Sequence, residues 1–245
     1  MILDDIGKYI LFQKDIFSKP PRRKLFIKQV FSEIWRLGID SLPIVLFLSA
    51  FMGAIVTIQM NFNTDNPFLP LYTIGYVSRQ TIVLEFAPTI ISLILAGKVG
   101  SRISSEIGTM RVSEQIDALQ VMGINPANYL VLPKLIATLF FNPILIMLSI
   151  CVALFGGYVA GVWSGMMTSY AYIYGIQFDF HLFDVVYALL KTVVFAYLIT
   201  TISAFFGYFT KGGALEVGQS STKAVVNSSI FIIVANLVIT QILLG

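Results

Sequence analysis

Apolar residues along this chain gather in unbroken blocks, not at the alternating or every-third-and-fourth spacing of a soluble core. Five blocks nearly free of charge run over roughly 37–60, 80–97, 135–157, 187–209 and 225–244. Each is close to the twenty or so residues that a helix needs to cross hydrocarbon. The pattern predicts an all-α integral membrane protein with five transmembrane helices. A closed barrel would show alternating strands instead, and the blocks are continuously apolar.

Two segments break the pattern. Residues 106–126 are charged and helix-periodic, yet they lie between two apolar blocks. Ile116, Leu119 and Gly123 follow one face, Glu114 and Asp117 another, and Arg111 stands a turn earlier. Gly123 followed by Pro126 reads as a helix stop, so one helix is expected near 106–123. A polar helix there has no lipid to face and must meet water or another protein. Its short attachment to two membrane helices would pass the movement of a docked partner into them.

The other exception is the N-terminal segment, residues 1–36, which is expected to be separate from a five-helix domain over 37–245. Ile2, Ile6, Tyr9 and Ile10 share one helical face, and Ile27, Val30, Phe31 and Ile34 repeat the spacing after the Pro20-Pro21 break. Arg22, Arg23, Lys24 and Lys28 supply a basic side. Such a segment lies along a membrane surface with its cations at the lipid phosphates. Charges are scattered throughout it, so no cleavable signal peptide is expected.

Composition agrees with the pattern, at 57% hydrophobic and 12% charged residues. The net charge of +3 is too small to imply nucleic acid, but its distribution sets a topology. Eight of the 16 Lys and Arg residues precede residue 37; Lys98, Arg102, Arg111 and Lys134 surround the polar segment, and Lys211 and Lys223 flank the loop after the fourth block. The connections 61–78 and 158–186 hold none. The positive-inside rule then predicts a cytoplasmic N-terminus and a periplasmic C-terminus, with Arg79 and Lys191 near block ends and able to snorkel.

Several residues carry less. Cys151 has no partner cysteine and reads as a small buried hydrophobe. Gly157, Gly161 and Gly165 repeat at the four-residue spacing that lets helices approach closely. Trp163, Tyr170, Tyr172 and Tyr174 suit an interfacial belt, and His181, the only histidine, reads as solvated beside Asp179 and Asp184. There is no Walker loop, no His-Glu cluster and no nucleophile with a base at a recognisable spacing. No catalytic residue, metal site or cofactor is therefore expected, and energy for work across the membrane must come from a gradient or a partner.

Glu85 sits where an ionisable residue is costly, a few residues into the second block beside Pro88. A carboxylate there must face a water-filled cavity, find a cation or become protonated. Arg79 is too far round a helix to be an obvious partner. Gln59 and Asn61, at the end of the first block, are expected as neutral hydrogen-bonding neighbours of Glu85 in such a cavity.

The run Glu106–Pro126, preceded by Ala96-Gly97-Lys98-Val99-Gly100-Ser101, resembles the signature of the MlaE (YrbE) permeases, membrane subunits of bacterial lipid ABC transporters that work with MCE proteins. The likeness continues through Thr192–Ala196, Phe206-Gly207-Tyr208 and Gly212–Gly218, and covers most of residues 37–245. The resemblance implies a homodimeric permease in the bacterial inner membrane, bound by a separate ABC ATPase and by an MCE-domain protein, passing phospholipid through a central cavity. It implies that residues 106–123 are the coupling helix, with Glu106, Arg111, Glu114 and Asp117 toward the ATPase, and that Glu85 is the cavity glutamate. It implies dimer contacts through the first and last crossings and the Glu85-bearing helix, where Gly53, Ala54 and Asn236 offer small or hydrogen-bonding groups. Some family complexes add a small STAS-domain protein.

The chain departs from the family at four places: Lys98 stands for a usual arginine, Asn125 for a common aspartate, Asn236 for a frequent aspartate, and the outer loop Asn61–Thr73 is longer than usual before Glu85. Two readings from other classes remain at this stage, a stand-alone gradient-driven transporter using Glu85 and a membrane scaffold without a transport path. The absence of an inverted repeat in five crossings weighs against the first.

Overall fold

The computed structural model describes residues 2–18, 23–63 and 70–244. The Pro20-Pro21 break and Arg22, with the side chains of Ile2 and Arg23, lie outside the described residues. Among the described residues eleven α-helices follow in order: α1 (Ile2–Ile16), α2 (Arg23–Glu33), α3 (Leu42–Asn63), α4 (Tyr72–Thr81), α5 (Ile91–Leu95), α6 (Ser101–Val112), α7 (Gln115–Val121), α8 (Pro126–Trp163), α9 (Ser169–Gln177), α10 (Leu182–Tyr208) and α11 (Ala214–Leu244). Among the described residues there is no strand.

Five helical stretches are long and apolar enough to cross a membrane: Lys24–Asn63, Tyr72–Val112, Pro126–Trp163, Leu182–Tyr208 and Ala214–Leu244. Each contains one of the five apolar blocks. The first two are single helical paths through several elements, joined by wide π-helical turns at Ile34–Gly38, Ile82–Ile90 and Ala96–Gly100. Pro88 accounts for part of the second widening, since it lacks an N–H and its ring displaces the preceding turn. Such widened turns recur at functional positions in helices, and this one carries Glu85.

The chain gathers into two compact units. The first comprises Met1–Ser41, Leu93–Asn142 and Val194–Thr240; the second comprises Leu42–Ser92, Pro143–Val193 and Gln241–Gly245.

In the second unit α3 and α8 meet backbone to backbone. A Cβ built on Gly53 would lie 1.8 Å from the Ala153 carbonyl oxygen, and one on Gly156 would lie 2.1 Å from that of Ala50. Neither position tolerates a side chain without separating the helices. Ser49 and Ser149 share a 2.7 Å hydrogen bond across the same contact. Gly157 and Gly161 join this packing beside Thr57, whereas Gly165 is a turn residue with φ +71° and open space around it. Of the expected repeat, Gly157 and Gly161 pack closely and Gly165 does not; the other close-packed positions are Gly53 and Gly156. Gly53 packs within one chain, which removes it as a contact between copies.

Arg79 does not snorkel. It is 2% exposed and closes the end of α9, donating to the carbonyls of Ile176 (2.9 Å), Phe178 (3.0 Å) and Asp179 (3.0 Å). Those carbonyls have no partner inside their own helix, and the guanidinium fork reaches all three. Cys151 is exposed on α8, contrary to its buried reading; on a membrane helix the lipid side is as apolar as the interior.

In the first unit α1 lies against α10. Phe12 and Ile16 are buried, with Phe12 among the rings of Phe205, Tyr208 and Phe209. Tyr9 bonds Thr201 at 2.8 Å and Gln13 accepts from Tyr197 at 2.9 Å. Burial raises the Tyr9 phenol above its ordinary value, and the Thr201 bond partly offsets that. The packed face is thus Tyr9, Phe12, Gln13 and Ile16, while Ile6 and Ile10 of the expected face are exposed.

Candidate functional site

Two groups of polar side chains stand out, one in each unit, and each is built by helices that the apolar pattern alone would treat as filler.

In the second unit the widened turn Ile82–Ile90 turns Glu85 toward α10. Its Oε1 accepts from the Lys191 ammonium at 2.7 Å, and the same ammonium donates to the Leu84 carbonyl at 3.1 Å. The Tyr187 ring, one turn earlier on α10, lies 4.3 Å from the nitrogen. Lys191 is fully buried while the Glu85 side chain is 41% exposed. The expectation that Lys191 snorkels is corrected: a long stem does not reach water when a carboxylate, a carbonyl and an aromatic face surround the head group. Thr89, one turn after Glu85, donates to its Oε2 at 3.3 Å. Of the expected neighbours, Gln59 is exposed and Asn61 half-buried in the last turns of α3. Lys191 was the partner missed from sequence. The available signal was that both residues are charges inside apolar blocks, which such positions favour pairing.

In the first unit the polar segment is not one helix. α6 continues the second long path to Val112; the chain then turns at Ser113 and Glu114, and a separate α7 of seven residues follows. Glu114 carries the turn with a left-handed φ of 59°, and Gly123, with φ +73°, ends α7. Asn125 then opens α8, its Oδ1 accepting from the Ala127 and Asn128 amides.

The four carboxylate and guanidinium groups expected at this segment are used differently. Arg111 and Asp117 pair with each other at 2.5 Å across the α6–α7 turn. Glu106 turns inward: Lys134 of α8, buried at 2%, bridges it at 2.9 Å to Glu33 of α2 at 2.8 Å, and Arg36 lies 3.9 Å from Glu106. Only Glu114 is exposed without such a pairing role. The outward face of α7 is instead apolar at its tip, with Val121 at 90% and Met122 at 64% exposure beside exposed Ala118. Ile116, on the opposite face, is fully buried.

Two departures from the family pattern have a local explanation. The Asn125 amide donates to the Asp15 carbonyl and to Ser18 Oγ while its oxygen caps α8, and an aspartate could not make the first two bonds. Asn128 adds a 2.6 Å bond to the Ile16 carbonyl, so the end of α1 is clipped to the start of α8. Lys98 bonds the Asp40 carbonyl, and Arg102 takes the Asp40 carboxylate at 2.9 Å and the Arg36 carbonyl at 2.6 Å.

Together, five apolar spans, an ion pair held within them, and a braced polar turn with an exposed apolar tip define a multi-pass helical membrane protein whose polar turn is built rigidly. Comparison with known proteins makes the class specific. The family model Permease MlaE matches residues 30–242, and the chain belongs to that family of permeases. It is 34% identical over 238 residues to a probable ABC transporter permease protein of Rickettsia typhi, covering 97% of this chain and 92% of that protein. It is 37% identical over 203 residues to a probable ABC transporter permease protein of Synechocystis, covering 82% and 76%. It is 27% identical over 245 residues to the intermembrane phospholipid transport system permease protein MlaE of Haemophilus influenzae, covering 94% and 88%. Membership makes this chain an ABC-type permease, as its relatives are named.

Proposed function

We propose that this chain is the membrane subunit through which an ABC system moves phospholipid between the inner membrane and a periplasmic MCE-domain protein, driven by a separate ATPase. The observation that carries the reading is the braced turn between the second and third spans. Intrachain ion pairs fix α6, α7 and α8 to one another, so a load applied at Val121 and Met122 reaches two spanning helices instead of bending a loop. The name of the Haemophilus relative supports phospholipid as cargo. The N-terminus and this turn are cytoplasmic in this reading, and the C-terminus periplasmic, by the distribution of Lys and Arg.

The substrate path is assigned to the Glu85 region, with Gln59 and Asn61 as polar neighbours. The second copy of the chain supplies its other wall. In support, only 11% of the most apolar stretch of Ala214–Leu244 is buried, against 33–50% for the other four spans. A face that large and apolar suits either lipid or a second helix. Cysteines placed at Val234 and Leu237 should crosslink between copies. Crosslinks confined to the outward face of α8, at Cys151, would place the interface elsewhere. A STAS-domain protein on the ATPase is a further partner of some family members and is compatible with this reading.

The gradient-driven alternative would have to work through Glu85 and Lys191 together, since the carboxylate is paired with a buried ammonium. Co-expression and purification test the reading: the chain should retain an ABC ATPase through detergent extraction. A chain that purifies alone, and moves lipid in response to an ion gradient, would overturn it.

A further inference from the structure

We propose that a cleft where α10 ends and α11 begins binds the phosphate of an anionic phospholipid headgroup, a site that goes beyond the transport reading and uses none of its residues. The cleft has a volume of about 610 Å³, in the range of small-molecule sites. Lysines from three elements line it: Lys8 of α1, Lys211 of the turn and Lys223 of α11. Phe205 and Phe209 form an apolar wall, and Gln219 adds a neutral donor.

The balance of charge favours an anion. The one carboxylate in the lining, Glu216, is directed at the backbone, accepting from the Gly213 amide at 2.8 Å. Among the described residues no carboxylate pairs with Lys8, Lys211 or Lys223. Thr210 and Ser220, on the floor, bond to each other and to the Phe206 carbonyl, so the floor needs no ligand to be satisfied. Among the described residues these three lysines are left to be answered.

Position selects a lipid over a soluble anion. The fourth span ends at Tyr208, just before Lys211, and the apolar block of the last span begins just after Lys223. The two lysines therefore stand where the chain leaves and re-enters hydrocarbon, at the depth of phosphate groups. Aromatic side chains suit the glycerol and upper acyl region of the same molecule. Lysines near helix ends also attract anionic surfaces without any site, which the experiment must separate.

The full chain is placed in nanodiscs holding equal phosphatidylglycerol and phosphatidylcholine, and the lipids kept after mild detergent extraction are measured by native mass spectrometry. Wild type should retain phosphatidylglycerol in preference, and K8Q/K211Q/K223Q should lose the preference, by about fivefold for each lysine removed. K24Q/K28Q, whose lysines lie on α2 outside the cleft and meet the anionic surface only in general, should lower retention clearly less than removal of any two cleft lysines. If the triple variant does not fold, K211Q alone, an exposed turn residue, should still weaken retention about fivefold. Equal retention of both lipids by wild type, or equal losses in the α2 control, overturns the site. Displacement of the lipid by inorganic phosphate at matched concentration would assign the cleft to a soluble anion and overturn the lipid.

Discussion

Glu85→Leu should destabilise the folded chain by about 3 kcal/mol, the lower end of what breaking a buried ion pair costs, because the Glu85 side chain is 41% exposed while Lys191 is fully buried. The loss is expected to come from Lys191, not from Glu85. With the carboxylate gone, an ammonium with no access to water keeps only the Leu84 carbonyl and the Tyr187 ring. Glu85→Leu with Lys191→Leu removes both charges and should recover most of the stability, since an apolar pair of similar volume often replaces a buried ion pair without net cost. Glu85→Gln keeps an acceptor oxygen for the ammonium and should fall between. Unfolding rates in detergent of wild type, Glu85→Leu, Lys191→Leu and the double leucine variant form a double-mutant cycle that reads the coupling directly. A Glu85→Leu chain as stable as wild type would leave the pair without a structural role.

The same cycle separates structure from transport. If Glu85 only steadies the helices, the double leucine variant should carry lipid as well as it folds. If its exposed part also meets the headgroup, the double variant should fold well and transport poorly, because a wholly apolar wall holds acyl chains without orienting the polar end.

Val121→Asp with Met122→Asp is the second change with a large expected effect. Neither residue supports the fold, as 90% and 64% of their surfaces are exposed, so the variant should assemble its helices normally. Apolar anchors at the centre of an interface are where binding energy concentrates, and burying two carboxylates there should weaken ATPase docking by at least 2 kcal/mol, about thirtyfold. Glu114→Lys, a rim charge, should change the affinity much less. Asp117→Lys is a poor probe of docking, because it also breaks the 2.5 Å bridge to Arg111 that fixes α7 to α6. Retention of the ATPase by the Val121 and Met122 variant in a pull-down would move the docking surface off this tip.

How far the sequence could be read follows from what lipid does to the chain. The five spans were legible because a backbone in hydrocarbon must satisfy itself within each segment, which forces long apolar blocks. Their ends were not, and the second helix runs from Tyr72 to Val112, well past the 80–97 block, since polar residues continue a helix once it has left the lipid. The break at Glu114 carried no signal, because glycine or asparagine usually marks a left-handed position and neither is there. The face of α1 was misassigned for a related reason. Both sides of that helix are apolar, and periodicity cannot tell the side that meets Phe205 and Tyr208 from the side that meets lipid. Cys151 fails in the same way.

At the candidate sites, residue types were legible and pairings were not. Glu85 and Lys191 are far apart in sequence, and Lys134 reaches Glu33 and Glu106 on two different elements. Glu85 alone was visible as a charge out of place; Lys191 read as a residue near a block end and Lys134 as a flank of the polar segment. Which cation answers which carboxylate depends on how helices cross, and a single sequence does not encode that in any local pattern.

Reconstituting the purified complex in vesicles with a fluorescent phospholipid, and following its redistribution when ATP is added, tests directly whether ATP hydrolysis on a separate subunit moves phospholipid through this chain. The account predicts ATP-dependent movement that disappears in the Val121→Asp, Met122→Asp variant while that variant remains folded in the membrane. Lipid movement of equal rate without ATP, or none at all with an active ATPase firmly docked, would contradict it.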